Sequence, residues 1–206
     1  MPQKAVFLDR DGTLVEEAGY LDRLERLVFF PYSVDAVRLL NRAGFAVVIV
    51  TNQAGIARGI FKETFVAEAH RHISARLAAG DARIDAFYYC PHHPEAVVEA
   101  YRRSCDCRKP QSGLFTRAAS DLDLALEDSF VVGDRWHDLE AGQRVGARGV
   151  LVQPGTAKRR RRRPRHTSHR RRLSATSWKP CPGSCARRDA EANCARRRSG
   201  PAPRAD

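Results

Sequence analysis

Five short apolar segments along the chain have the composition of buried strands. Each is continuous rather than alternating and is rich in β-branched or aromatic residues. Such runs are typical of strands that are covered on both faces of a parallel sheet. The five predicted strands are Ala5–Asp9, Ala46–Asn52, Phe87–Cys90, Ser129–Asp134 and Gly149–Val152.

The segments between these strands place apolar residues at the spacing of helices. Ser33 and Ser112 stand where helix N-caps are expected, and Gly44, Gly80 and Gly146 stand where helices end. Strands that alternate with helices predict an α/β fold built on a mostly parallel sheet. The predicted inward residues are Val37, Leu40 and Ala43, then Phe65, Ala69, Ile73 and Leu77, then Leu114, Phe115, Ala118, Ala119 and Leu122, and a short fourth helix covers 138–145.

The basic residues concentrate in the last quarter of the chain. Residues 158–206 hold 17 of the 36 Lys and Arg residues but only 3 of the 24 Asp and Glu residues. The formal net charge of +12 therefore belongs to this segment, and residues 1–157 are close to neutral. Few large apolar residues occur there, so burial cannot offset the entropy of ordering. We expect one domain over 1–157 and a basic, disordered tail over 158–206.

Two interpretations of this tail compete. It is either an arm that binds nucleic acid or an acidic surface, or an out-of-frame translation of a GC-rich coding region. We favour the second, because such a frame yields Arg, Ala, Pro, Gly and stray Cys. Sequencing the DNA across codon 158 tests it, and other frames that encode no further strand and helix would contradict it. Cys181, Cys185 and Cys194 are unevenly spaced without a nearby histidine, so no zinc site is expected there.

The remaining bulk features indicate a cytoplasmic protein, and we expect it to be a monomer. No stretch approaches the roughly 20 apolar residues of a membrane helix, so no membrane contact is expected. Charged residues appear within the first ten positions, which fits no signal peptide. In that compartment, six cysteines indicate metal binding or free thiols rather than disulfides. His70 and His72 are expected to be solvated, and His137 is given no role.

Polar side chains follow three of the predicted strands at the point where each strand ends. Asp9 and Asp11 follow the first strand, Thr51 ends the second and Asp134 ends the fourth. Ligands of open parallel sheets bind at this edge. Three carboxylates without an obvious compensating charge predict a hard cation such as Mg²⁺. A dianionic phosphate and Lys109 would complete the charge balance.

Asp9 and Asp11 are placed to divide a phosphoryl transfer between them. Residues two apart in an extended strand point the same way. Asp9 would attack phosphorus as the nucleophile. Asp11 would protonate the leaving alkoxide and then deprotonate the hydrolytic water.

A second constellation has the spacing of a zinc site. Cys90 and His92 precede Cys105 and Cys107 by twelve intervening residues. Three thiolates and one imidazole match a closed structural Zn²⁺ site. His93 is the alternative imidazole ligand. The metal would pin a loop whose end leads directly into Lys109.

Four motifs resemble those of the haloacid dehalogenase (HAD) phosphatase superfamily: Phe7–Leu14, Thr51–Gln53, Arg108–Pro110 and Gly133–Asp138. Further segments resemble the branch of D-glycero-D-manno-heptose-1,7-bisphosphate 7-phosphatases, to which histidinol-phosphate phosphatases are close relatives. These segments are Tyr20, Thr51–Gly59 and Cys90–Pro94. The resemblance runs from about Ala5 to Val152 and implies a Rossmann-like sheet without a large cap domain.

The resemblance also implies a role for each residue. Asp9 is the nucleophile and a magnesium ligand, Asp11 is the acid/base with a metal-binding carbonyl, and Asp134 is a metal ligand that Asp138 supports. Thr51 and Lys109 hold the phosphoryl group, and His92 is the favoured zinc ligand. The implied substrate contacts are Glu17, Ala18, Gly19, Tyr20, Asn52, Gln53, Ala54, Arg108 and Arg135, the last replacing a lysine that the family often has.

The resulting hypothesis is a Mg²⁺-dependent phosphatase that removes the 7-phosphate of a phosphorylated sugar, heptose 1,7-bisphosphate, through an aspartyl-phosphate. A histidinol-phosphate phosphatase is the enzymatic alternative. A basic nucleic-acid-binding protein with an inert phosphatase-like domain is the alternative from another class.

Overall fold

The computed structural model describes residues 2–153 and contains one five-stranded parallel sheet. The strand order is β3-β2-β1-β4-β5, so β1 is central. The chain places β2 and β3 on one side of β1, and then β4 and β5 on the other side. This confirms the predicted α/β class. The strands are β1 (Ala5–Leu8), β2 (Ala46–Asn52), β3 (Ala86–Cys90), β4 (Phe130–Gly133) and β5 (Arg148–Leu151).

Helices cover both faces of the sheet. Successive residues of β1 enter opposite layers, which is why the strand is apolar throughout. Phe7 packs edge-on against Phe115 on one face at 5.1 Å between ring centroids, whereas Val6 joins Val37 and Ile73 on the other. The helices are α1 (Ser33–Arg42), α2 (Ala54–Ala57), α3 (Glu63–Ala78), α4 (Gly113–Leu122) and α5 (Trp136–Gln143). Within 2–153, none of them has the length and apolar character that crossing a bilayer requires.

Several helix boundaries differ from the predicted ones. Ser33 lies inside the first turn of α1 rather than at its cap, because its hydroxyl donates to the carbonyl of Leu14 at 2.6 Å. Ala43, predicted to face inward, is exposed after the end of that helix. Ser112 does occupy the N-cap position of α4, but its side chain makes no capping hydrogen bond. The predicted boundary at residue 157, the tail and its three cysteines lie outside the described residues.

His70 was expected to be solvated, and this expectation is wrong. The side chain is buried on the inner face of α3, where its ring stacks on Phe87 of β3 at 4.4 Å between centroids. Burial and the nearby positive charge of Arg10 together lower the pKa of His70 to about 4, with Asp11 opposing them. His72, two residues along the helix, is exposed as expected. His70 lies on the same helical face as Val66, Ala69 and Ile73, and a search for apolar residues alone overlooks it because histidine is polar.

The buried imidazole predicts a loss of stability in mild acid. Above pH 6.5 the folded and unfolded states both hold neutral His70, so its protonation contributes nothing. Between pH 6.5 and about 4 the unfolded chain binds the proton first, and the fold loses up to about 3 kcal/mol from this group.

Urea unfolding of the wild type and of His70→Gln at a series of pH values measures this loss as a shrinking stability difference. His72→Gln is the matched exposed control, and its difference from the wild type should not vary with pH. A constant difference for His70→Gln would contradict the expectation.

Candidate active site

Three carboxylates converge at the carboxyl edge of the central strands. Asp9 directly follows β1, Asp134 directly follows the neighbouring β4, and Asp138 lies in the first turn of α5. One ligand oxygen from each lies within 4.8 Å of the others. The backbone N–H of Arg135 donates to Asp138 at 3.1 Å, which fixes that carboxylate at the helix start. The edge of the sheet therefore holds an acidic cluster of Asp9, Asp134 and Asp138.

The side chain of Asp11 lies outside this acidic cluster. Its carboxylate accepts hydrogen bonds from Nε and Nη2 of Arg10 at 2.9–3.2 Å and from Nε2 of Gln53 at 3.0 Å. The sequence reasoning counted Asp11 among three carboxylates without a compensating charge. The structure differs because Arg10, only 1% exposed, folds back onto its own neighbour. Asp138 takes the third place in the cluster.

Lys109 supplies the positive charge within the acidic cluster. Its Nζ lies 2.7 Å from Asp9 Oδ1 and 2.7 Å from Asp138 Oδ1, and it also donates to the carbonyl of Val50 at 2.6 Å. The side-chain amide of Asn52 makes two hydrogen bonds to the backbone of Lys109. It accepts from the N–H at 3.0 Å and donates to the carbonyl at 3.1 Å. A residue from a loop is thereby fixed to the end of β2.

Burial and mutual repulsion shape the protonation of these groups. Burial raises the pKa of Asp9 to about 7, with Asp138 and Asp11 adding to the effect and Lys109 opposing it. Burial also raises the pKa of Asp134. For Lys109, burial lowers the pKa, but the charges of Asp9 and Asp138 outweigh it, and the pKa is raised overall. The cluster holds more negative charge than one lysine neutralises.

The acidic cluster fits a divalent cation. Asp134 Oδ1 is buried and has no hydrogen-bond partner among residues 2–153, which leaves a strong acceptor available. Carboxylate oxygens are the ligands that Mg²⁺ prefers in proteins. Three carboxylates beside one lysine leave a net negative charge that such an ion would neutralise.

Gly12 allows the chain to turn against the acidic cluster. Its φ of +87° lies in the left-handed region, and a Cβ there would lie 2.5 Å from Asp134 Oδ2. Only glycine satisfies both conditions.

An open cavity of about 420 Å³ lies above Asp9 and Thr51. Of the predicted substrate contacts, Ala18 alone does not line it, and the carbonyl of Ala18 accepts a hydrogen bond from Arg26 at 2.6 Å. The predicted contacts that line it are Glu17, Gly19, Tyr20, Asn52, Gln53, Ala54, Arg108 and Arg135. Sequence reasoning missed Arg10, Leu21, Gly55, Phe61 and His137, of which Leu21 and Phe61 lie outside every motif and segment that carries the resemblance.

An ion pair crosses the rim of the cavity. Arg135 Nη2 lies 2.7 Å from Glu17 Oε2, and the other oxygen of Glu17 accepts from the N–H of Gly19 at 2.7 Å. The pair joins the loop after β1 to the start of α5. On another side, Arg108 Nη1 donates to the carbonyl of His92 at 3.3 Å. Two arginines therefore flank the opening.

The four predicted zinc ligands meet at one point. The sulfurs of Cys90, Cys105 and Cys107 are 3.1–3.5 Å apart, and His92 Nδ1 lies 3.3 Å from Cys107 Sγ. Disulfide sulfurs would be about 2.05 Å apart, so the thiols are free. Burial raises the pKa of Cys107 to about 11 and that of Cys90 further. His93 points elsewhere and accepts from the N–H of Glu95 at 3.1 Å.

This donor set fits a tetrahedral Zn²⁺ ion. Ligands at about 2.0–2.3 Å from one centre lie about 3.5–3.8 Å from each other, close to the separations observed. Thiols whose pKa values are raised by burial stay protonated at neutral pH. A bound cation would favour their ionised form. The structure brings together Cys90, His92, Cys105 and Cys107, and leaves His93 outside.

Comparisons with known proteins agree with this geometry. A HAD-hydrolase-like family model matches residues 106–173. A D-glycero-beta-D-manno-heptose-1,7-bisphosphate 7-phosphatase of Escherichia coli strain CFT073 is 43% identical over 153 residues, which cover 73% of this chain and 80% of the relative. The Haemophilus influenzae enzyme of that name is 43% identical over 155 residues, covering 74% of this chain and 83% of its own.

Solved structures give the same result. A HAD-like phosphatase from Mesorhizobium loti superposes with a TM-score of 0.70 at 35% identity, covering 75% of this chain and 77% of that one. The D,D-heptose 1,7-bisphosphate phosphatase of B. bronchiseptica, solved with magnesium and phosphate, gives 0.68 at 32% identity and covers 76% and 84%.

A parallel sheet that gathers Asp9, Asp134 and Lys109 at one edge defines a HAD-like phosphatase. Within that class the identity to the curated relatives is decisive. The chain belongs to the D-glycero-beta-D-manno-heptose-1,7-bisphosphate 7-phosphatase family.

The contact at Gly12 predicts that Gly12→Ala disrupts the acidic cluster. The added methyl group displaces Asp134, and a misplacement of this size lowers activity on the order of a hundredfold. Gly44→Ala is the matched control, since Gly44 also has a positive φ of +83° but nothing within 4 Å of the added atom.

Calorimetric Mg²⁺ titration and phosphate release measure the effect. Gly44→Ala should bind Mg²⁺ like the wild type while losing about 1–2 kcal/mol of stability to backbone strain. Equal Mg²⁺ affinity in both variants would contradict the role assigned to Gly12.

Proposed function

We propose that this chain is a Mg²⁺-dependent phosphatase that hydrolyses the 7-phosphate of D-glycero-D-manno-heptose 1,7-bisphosphate. The observation that carries the proposal is Asp9, which lines the cavity with one oxygen held 2.7 Å from Lys109 Nζ. That contact leaves the second oxygen of Asp9 to meet phosphorus. The relatives that are named for this activity match this chain over most of their length.

Asp9 and Asp11 carry the two chemical steps. The free oxygen of Asp9 attacks phosphorus, the bond from phosphorus to the sugar oxygen breaks, and Asp11 gives that oxygen its proton. Asp11 then takes a proton from water, whose oxygen attacks the phosphorus of the aspartyl-phosphate. The second step releases inorganic phosphate, restores the Asp9 carboxylate and leaves Asp11 protonated for the next turnover.

The remaining charged groups hold the phosphoryl group. Lys109 neutralises part of the charge that accumulates on the phosphoryl oxygens. Thr51, 1% exposed and lining the cavity, offers its hydroxyl from the end of β2. The carboxylates of Asp9 and Asp134 and the backbone carbonyl of Asp11 would hold Mg²⁺, with Asp138 behind them. The ion supplies Lewis-acid neutralisation of the phosphoryl charge.

The rim selects a substrate that remains anionic away from the reacting phosphate. Arg108 and Arg135 flank the opening, and both are free to turn toward a second phosphate when Glu17 and the His92 carbonyl release them. A cavity of about 420 Å³ lies within the usual range for small-molecule sites. Both features favour a sugar bisphosphate.

Zn²⁺ would act structurally. Cys90, His92, Cys105 and Cys107 would hold it and tie both ends of the loop to each other. Arg108 and Lys109 follow Cys107 directly. The position of the cysteine cluster therefore influences one residue that lines the cavity and one that pairs with Asp9.

Asp9→Asn should abolish turnover while the fold is retained. An amide oxygen is a poor nucleophile, and a covalent catalyst that loses its nucleophile loses on the order of 10⁴-fold or more in kcat. Asp138 still pairs with Lys109 in the variant, so the buried lysine keeps a partner. Phosphate release and circular dichroism check both expectations.

Asp35→Asn, an exposed position on α1, is the matched control and should keep full activity. If Asp9→Asn retains activity near that of the control, the covalent mechanism is wrong.

Cys105→Ser should lower the zinc content of the purified protein below about one ion per chain. The loop then loses its anchor, so KM rises through Arg108 before Mg²⁺ affinity changes. Metal analysis, KM and Mg²⁺ titration provide the three readouts. Cys185→Ser, outside the described residues, should retain zinc, and equal zinc in both variants would contradict the proposed site.

A phosphate-release screen over heptose 1,7-bisphosphate, histidinol phosphate and other sugar phosphates tests the substrate. We expect the highest kcat/KM on the heptose bisphosphate and no release from any substrate after Mg²⁺ is chelated. Higher turnover on histidinol phosphate would overturn the choice of substrate, and release without Mg²⁺ would overturn the metal requirement.

A further inference from the structure

Arg10 is a buried cation whose partners are two residues of the cavity. Its side chain is almost fully buried, and every side-chain hydrogen bond it makes within residues 2–153 goes to Asp11 or Gln53. Burying a guanidinium is costly unless its charge is matched in geometry and sign. The bidentate contact with Asp11 supplies that match and fixes the plane of the carboxylate.

Gln53 completes the arrangement from the position directly after β2. Its Oε1 accepts from Arg10 Nη2 at 3.0 Å, and this contact determines which end of the amide faces Arg10. Nε2 therefore points the other way and donates to Asp11 Oδ2 at 3.0 Å and to Thr51 Oγ1 at 2.9 Å. Because Oγ1 accepts this bond, the hydroxyl hydrogen of Thr51 is left to donate toward the cavity.

The surroundings offer the Arg10 guanidinium few other hydrogen-bond acceptors. His70, the titratable side chain of α3 that senses the charges of both Arg10 and Asp11, is held neutral by burial and does not attract the guanidinium. Arg10 Nη1 is buried without a hydrogen-bond partner among the described residues. The guanidinium is thus committed to Asp11 and Gln53.

We propose that Arg10 and Gln53 are positioning residues that hold the Asp11 carboxylate where it meets the leaving oxygen of the substrate. This inference rests on the acid role given to Asp11 in the proposed function. It reassigns Gln53, which the resemblance made a substrate contact. If Arg10 and Gln53 served only to contact the sugar, their loss would weaken the heptose bisphosphate and spare phosphate esters that lack the sugar.

Leaving-group dependence separates positioning from binding. A sugar alkoxide leaves poorly and needs a well-placed acid, whereas p-nitrophenolate leaves without one. The test measures kcat/KM, which reports steps up to loss of the leaving group, for heptose 1,7-bisphosphate, ethyl phosphate and p-nitrophenyl phosphate with the full chain and Mg²⁺. Ethyl phosphate has a poor leaving group and no sugar, so a loss on the heptose bisphosphate without one on ethyl phosphate overturns the positioning role. Gln53→Met, close in size and without the donors, is the main variant.

We expect kcat/KM of Gln53→Met to fall on the order of 10²-fold for the heptose bisphosphate and only about a few-fold for p-nitrophenyl phosphate. Equal losses on both substrates overturn the positioning role. If Gln53→Met does not fold, Gln53→Glu carries the test, because it keeps the bond to Arg10 and removes both donors. Arg10→Lys should show the same selectivity, since a lysine cannot form the fork.

Asp11→Asn is the reference that distinguishes this inference from the proposed function. If Asp11→Asn loses activity selectively on the heptose bisphosphate and the Gln53 variant does not, the acid role stands and the positioning role falls. If Asp11→Asn itself loses activity equally on both substrates, the acid role falls, and the positioning role with it.

Discussion

The site depends on one buried lysine. Lys109 is bonded at once to Asp9, Asp138 and the carbonyl of Val50, so it joins the end of β1, the start of α5 and the end of β2. Without it, two buried carboxylates would repel each other at close range, and removing one partner of a buried ion pair costs about 3–5 kcal/mol. Lys109 is not part of the sheet, and the Asn52 amide is what holds its backbone in place.

A second buried cation pairs with Asp11, the proposed acid. Asp9 and Asp11 are two residues apart, yet each has its own buried positive partner, Lys109 for the first and Arg10 for the second. This division keeps the two carboxylates in different electrostatic surroundings at the end of a single strand. Burial raises the pKa of Asp9, and Asp11 is held by a fork of hydrogen bonds instead. One short turn therefore presents two carboxylates that have different buried partners.

The features that could be predicted were those that depend on local sequence. Continuous apolar runs located the strands because both sheet faces are buried, and the order of motifs placed Asp9 near Asp134 because parallel strands end at one edge. Features that depend on tertiary contacts were missed. Ser33 leaves its capping role for the carbonyl of Leu14, and His70 is buried by Phe87 from a distant strand. Phe61 lines the cavity without any motif to announce it.

The cysteine cluster closes the segment between His92 and Cys105 into a loop whose two ends meet. Cys90 and His92 meet Cys105 and Cys107 within 4.8 Å, so the chain departs from and returns to one point. Val97 at the outer part of this loop is 74% exposed. Lengthening such a surface loop costs little free energy. The N–H groups of Val97 and Val98 donate to the carbonyl of Ala57, and Tyr101 donates to Glu63, so inserted residues fit best between these anchored positions.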